Sequence, residues 1–203
     1  MNRSMNVYLA LCSALVASAL LLVDSSSAQR PRRPTWGEAV NGLQMSIALD
    51  PGKSAPSKTP KFIVALRNAG ESDLILNLGF MLGNGKSQYP IAVVLMLTDA
   101  QEKSRRLELR GPAIIGGRMD PFVLPIPAGA TFSIPADLDK YWAPATQEFE
   151  FDLNHGAYSI EARFTGKSVS EPDANLDVKG IALMPYWKGT ARSNQLRFGV
   201  SSQ

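Results

Sequence analysis

One cysteine and one histidine are all that this 203-residue chain contains of the two residue types that most often hold metals or carry nucleophilic chemistry. Cys12 lies in an apolar N-terminal stretch, so no intrachain disulfide can form and no thiol nucleophile is available downstream. With His155 as the sole imidazole, the paired histidines of a His-Glu-x-x-His zinc peptidase are excluded. A Ser-His-Asp triad would have to use the same residue, and the chain has no G-x-S-x-G elbow. Charge of one sign is scarce as well: 21 Lys and Arg stand against 18 Asp and Glu. Arg30, Arg32 and Arg33 are gathered between Gln29 and Pro34, which leaves the rest of the chain close to neutral. That balance argues against a nucleic-acid partner. Beyond the N-terminal stretch no window carries a convincing helical period.

The apolar stretch itself has the layout of a secretory signal. Arg3 gives a thin positive start, Val7 to Val23 is mostly apolar, and Ser26-Ser27-Ala28 places small residues before Gln29. Cys12, Ser13 and Ser18 interrupt a run already shorter than the roughly 18 or more apolar residues of a spanning helix. The expectation is therefore a signal peptide over 1–28, a Pro- and Arg-rich flexible leader over 29–41, and one domain over 42–203 that is secreted or periplasmic, with no membrane span after cleavage.

Period-two alternation fills that domain. Strands are expected at Leu43 to Leu49, Lys61 to Asn68, Asp73 to Leu78, Ile91 to Thr98, Arg105 to Leu109, Pro121 to Ile126, Thr131 to Pro135, Glu148 to Leu153, Tyr158 to Thr165, Gly180 to Met184 and Gln195 to Val200. Asp50-Pro51-Gly52, Gly83-Asn84-Gly85 and Pro127-Ala128-Gly129 separate some of them as turns. Asp137 to Trp142 is the one expected helical turn, and Ser168 to Asp177 the longest loop. In Leu153-Asn154-His155-Gly156-Ala157-Tyr158 a tyrosine follows a turn glycine at the head of a strand, the pattern of a tyrosine corner built on Leu153, Gly156 and Tyr158. Short strands without intervening helices, closed by such a corner, predict an all-β, immunoglobulin-like Greek-key sandwich without a disulfide.

The turn residues carry a family resemblance. Arg67-Asn68-Ala69-Gly70, Gly111-Pro112, Gly117-Arg118, Pro127-Ala128-Gly129-Ala130, Asp137-Leu138 with Tyr141, and Gly156-Ala157-Tyr158 together resemble the immunoglobulin-like N-terminal region of deuterolysin-type metallopeptidases. The likeness spans roughly Leu43 to Gly166, and a looser one runs to the bacterial intracellular proteinase inhibitor family. It implies the accessory sandwich without the peptidase half, whose zinc motif has no counterpart here.

Remaining candidates for chemistry are few. Glu148, Glu150 and Asp152 share one face of an expected strand, as a solvated row would. Asp173-Ala174-Asn175-Leu176-Asp177 opens like a calcium loop, but Val178 and Met184 replace the Gly and Glu that an EF-hand requires. The glycines of Gly111 to Arg118 lack a P-loop ending. No catalytic, cofactor or metal residue is expected. Arg118, Tyr141, Trp142, Tyr186 and Trp187 form a candidate binding surface, since aromatic rings supply contact area at low entropic cost. These readings converge on a non-catalytic binding or accessory module for a protein or carbohydrate. The alternative is a proteinase inhibitor presenting Gly111 to Pro121 to a peptidase cleft.

Overall fold

Alternating burial accounts for the clearest strands. The computed structural model describes residues 35–50, 59–112, 117–148, 153–170, 177 and 179–200. Among the described residues there are twelve strands: β1 (Leu43–Leu49), β2 (Lys61–Asn68), β3 (Leu74–Leu82), β4 (Gln88–Tyr89), β5 (Val93–Thr98), β6 (Ser104–Leu109), β7 (Met119–Ile126), β8 (Thr131–Asp137), β9 (Tyr141–Trp142), β10 (Gly156–Gly166), β11 (Gly189–Arg192) and β12 (Leu196–Val200). Along β2 every second side chain is buried, and along β10 Tyr158, Ile160, Ala162 and Phe164 point inward. A strand sends successive side chains to opposite faces, so this pattern requires one face on a core and one toward water.

All pairings among the described residues are antiparallel. One sheet has the order β1-β2-β8, a second β11-β10-β5-β6-β9 with β12 also on β10, and a third β4-β3-β7. β10 lies between β5, which is distant in sequence, and the edge formed by β11 and β12, and β8 returns to β2, which gives a Greek-key sandwich. The three sheets share one apolar core, crossed by the edge-on contact of Phe62 on β2 with Phe198 on β12, ring centres 5.3 Å apart.

β11 and β12 are one edge broken at 193–195. Ser193 continues the ladder: its amide donates to the Ala162 carbonyl at 2.9 Å, and its hydroxyl accepts from the Ala162 amide at 2.9 Å. Asn194 turns the other way. Its Oδ1 accepts from the Ile47 amide at 2.9 Å and its Nδ2 donates to the Ile47 carbonyl at 3.2 Å, so one side chain imitates a strand pair and joins β1 to the second sheet.

The Arg67-Asn68-Ala69-Gly70 turn is built on a fully buried amide. Asn68 Nδ2 donates to the carbonyls of Ser72 (2.8 Å) and Ile126 (2.9 Å), and Oδ1 accepts from the Gly70 amide at 3.0 Å. Hydrogen-bonded structure also begins upstream of residue 42. The Gly37 amide donates to the Met45 carbonyl, Val40 bridges Leu43, and the Arg67 guanidinium lies 4.5 Å from the centre of the Trp36 ring.

Two expectations are corrected. Gly180 to Met184 is not a strand; Lys179–Ala182 forms a helical turn, continued by bonds from Leu183 to Gly180 and from Met184 to Ile181. Among the described residues no strand pairs with this apolar run, and a strand without a partner cannot satisfy its backbone. The short strands β4, β9 and β11 lie where no strand was expected. The helical turn expected at Asp137 to Trp142 occurs as the 3-10 turn Leu138–Lys140. Of the strand expected at Glu148 to Leu153, residues 149–152 lie outside the described residues, as do Glu150 and Asp152; Glu148 bridges Ala143.

Candidate functional site

The corner residues lie at the end of the second sheet where β10 begins. Tyr158, 8% exposed, donates its hydroxyl hydrogen to the Asn154 carbonyl at 3.0 Å, and its ring stacks on Phe198 with centres 5.7 Å apart. Leu153 is buried and Gly156 has extended backbone. Beside them is a cleft of about 230 Å³ lined by Asp99, Arg105, Asn154 and the exposed His155. Two of its charged groups already have partners: Asp99 Oδ1 accepts from the amides of Gln101 and Lys103, and Arg105 pairs with Glu148 at 2.9 Å. These bonds commit Asp99 and Arg105 to the turn that borders the cleft.

The five residues expected to form a binding surface are dispersed. Tyr141 (1% exposed), Tyr186 (5%) and Trp187 (6%) belong to the core, which corrects that expectation for all three. Trp187 stacks on Phe164 and donates Nε1 to the carbonyls of Val40 and Asn41 at 3.2 and 3.0 Å; it pins the segment before β1 onto β10. The Tyr186 hydroxyl donates to the Ile181 carbonyl at 3.0 Å and holds the helical turn in place. Burial raises the pKa of Tyr186; burial and then the nearby Asp137 carboxylate raise that of Tyr141. Trp142 is half-buried, and Arg118 is exposed but paired with Asp120 at 2.7 Å.

What the fold does assemble is a groove of about 460 Å³ between the β3–β4 hairpin and the end of β6. The hairpin is set by Asn84, whose Oδ1 accepts from the amides of Lys86 (2.9 Å) and Ser87 (3.1 Å), with Gly85 at φ +67° completing the turn. This directs Lys86 and Gln88 to one wall. The other wall comes from Arg110, whose amide donates to the Lys140 carbonyl at 2.8 Å and whose guanidinium donates to the Asp139 carbonyl. Lys140 lines the groove there and also contacts Asp137 at 3.2 Å. The floor is half-buried and largely apolar: Leu109, Pro112 and Tyr89, the last stacked on Phe80 at 4.9 Å.

Three cations and one carboxylate, Asp139, thus line the groove around a largely apolar floor. Among the described residues neither Lys86 nor Arg110 is in an ion pair. Sequence reading missed this site because each cation is alone in its own turn. The one local signal was Gly83-Asn84-Gly85, a hairpin tip followed directly by Lys86. Also exposed is an apolar tip beyond β10, where Leu183 is 86% exposed beside Ile181 and Met184. Of the loop Gly111 to Pro121, residues 113–116 lie outside the described residues, and so does most of the calcium-like loop, residues 171–176. Among the described residues no group of three or more His, Cys, Asp and Glu could hold a metal, and no helix is long and apolar enough to cross a membrane.

No family model matches the chain, and no curated protein does. Among solved structures it is similar to an X-ray structure of a Northeast Structural Genomics Consortium target, at 11% identity and a TM-score of 0.35, over 78% of this chain and 87% of that one.

Proposed function

We propose that this chain is a secreted or periplasmic, non-catalytic accessory module of the immunoglobulin-like class that holds a partner in the groove between the β3–β4 hairpin and β6. The observation that carries the reading is the groove itself: Lys86, Arg110 and Lys140 converge from three separate turns over a floor of Tyr89, Leu109 and Pro112. Concave apolar surface rimmed by a few placed polar groups is the usual form of a binding site. The resemblance to the accessory half of deuterolysin-type metallopeptidases supports a module that serves an enzyme without being one.

Two measurements test it. Intact-mass analysis of exported protein gives a chain beginning at Gln29; a full-length species kept in membranes overturns the location. Purified protein binds members of a panel of peptides and oligosaccharides saturably, with no hydrolysis of casein or a peptide ester. Turnover abolished by a chelator or by His155→Ala overturns the non-catalytic reading.

The inhibitor reading is favoured by a different observation from the one that suggested it. The Lys179–Ala182 turn, tied down by the Tyr186 hydroxyl, displays Leu183 as an apolar side chain at a loop apex. Saturable inhibition of a secreted serine, cysteine or metallopeptidase, lost in Leu183→Asp, supports it; no inhibition across such a panel removes it.

A further inference from the structure

We infer that the groove takes an acidic peptide segment carrying an apolar side chain, an inference that rests on the binding-module reading above and names its ligand. Charge selects the sign. Lys86, Arg110 and Lys140 line the groove with Asp139 as the lone opposing carboxylate, and the side chains of all four are exposed at the rim. Asp139 lends only its carbonyl to Arg110, so the guanidinium is held in position while its charge stays uncompensated by any carboxylate among the described residues. Lys140 is partly neutralised by Asp137, 3.2 Å away, which makes Lys86 and Arg110 the stronger anion contacts. A guanidinium presents a planar fork of donors that matches a carboxylate.

The floor selects the chemistry of the chain. Tyr89 has one ring face taken up by Phe80, at an interplanar angle of 16°, and beside it lie aliphatic Leu109 and cyclic Pro112. A sugar ring wants an open aromatic face, together with mixed donors and acceptors for its hydroxyls. This groove offers mostly donors at the rim and aliphatic surface below, which suits carboxylates on either side of a buried Leu, Phe or Met side chain. The volume of about 460 Å³ admits one such side chain with its flanking backbone.

The test is fluorescence anisotropy with a labelled Glu- and Asp-rich peptide bearing one central Leu. The same peptide with Leu replaced by Ser, a Lys-rich peptide with the central Leu, and an oligogalacturonate serve as comparisons. The acidic Leu peptide binds best, its affinity falls with added salt, and Lys86→Gln combined with Arg110→Gln weakens it about tenfold while the urea unfolding midpoint stays unchanged. Equal binding of the Leu and Ser peptides overturns the apolar requirement. Groove-dependent binding of oligogalacturonate in preference to the peptide overturns this inference and leaves the binding-module reading standing. If no probe binds in a way that the double variant weakens, both fall.

Discussion

Single hydroxyls do much to fix this sandwich. Tyr158 is buried, and its bond to the Asn154 carbonyl closes the turn that starts β10. Tyr158→Phe leaves that carbonyl unpaired, so the expected loss is about 1 to 3 kcal/mol. Urea denaturation checks it, and an unchanged midpoint would remove the corner from the account of stability. Tyr141 makes a prediction in pH. Its raised pKa means that, as pH passes about 10, the unfolded chain loses the phenol proton while the folded chain keeps it. Stability is therefore intact below that point and falls above it, by about 1.4 kcal/mol per pH unit for this one group. Tyr186 adds to the same alkaline trend. Urea titrations between neutral and strongly alkaline pH would show the decline, and Tyr141→Phe should flatten it; a variant with the same alkaline slope would exclude this residue as the cause.

The elements are joined by irregularities as much as by ladders. The register of β3 against β7 shifts between Asn77 and Gly79, where Asn77 Oδ1 accepts from the Gly79 amide at 3.2 Å. Gly79 sits at φ +136°, and a Cβ there would lie 2.4 Å from the Tyr89 carbonyl oxygen and 2.7 Å from the Ile91 side chain. Positive φ and this close approach admit only glycine, so that β4, with Tyr89 on the groove floor, can lie against β3. Gly79→Ala is expected to cost roughly 2 kcal/mol or more and to weaken binding of the acidic Leu peptide proposed for the groove through displacement of Tyr89. Gly129→Ala, at φ +76° with open space around it, supplies the comparison and should cost only about 1 kcal/mol. Equal losses in chemical denaturation would show that contact with β4 is not the constraint. Period-two alternation made β2 and β10 legible in the sequence, because each has one face on the core. It could not reveal the two-residue strands β4 and β9, which exist through pairing with β3 and β6.

Across the whole molecule, Asn194 holds the first sheet to the second through its two bonds to Ile47. Asn194→Ala removes both, and the expected loss is about 1 to 3 kcal/mol, since the Ile47 backbone groups are left without these partners. Hydrogen exchange should show the effect concentrated at the Ile47 amide; protection unchanged there would assign the sheet junction to apolar packing alone.

The sequence by itself determined the class of structure. Alternating apolar residues, punctuating glycines and prolines, and a lone cysteine specify an antiparallel sandwich without a disulfide, because strand faces and turn conformations are local properties of the chain. It also marked Gly156-Ala157-Tyr158 as a turn-to-strand junction, for the same reason. Tertiary structure alone decided which aromatics are surface and which are core: Tyr141, Tyr186 and Trp187 read alike with Trp142, yet three of the four are buried by strands distant in sequence. It alone decided the groove as well. Lys86, Arg110 and Lys140 occupy unrelated turns, and no pattern in the sequence relates them until β3, β4, β6 and β9 have paired. A groove assembled from single residues distant in sequence is a property of long-range strand register, which local periodicity does not encode.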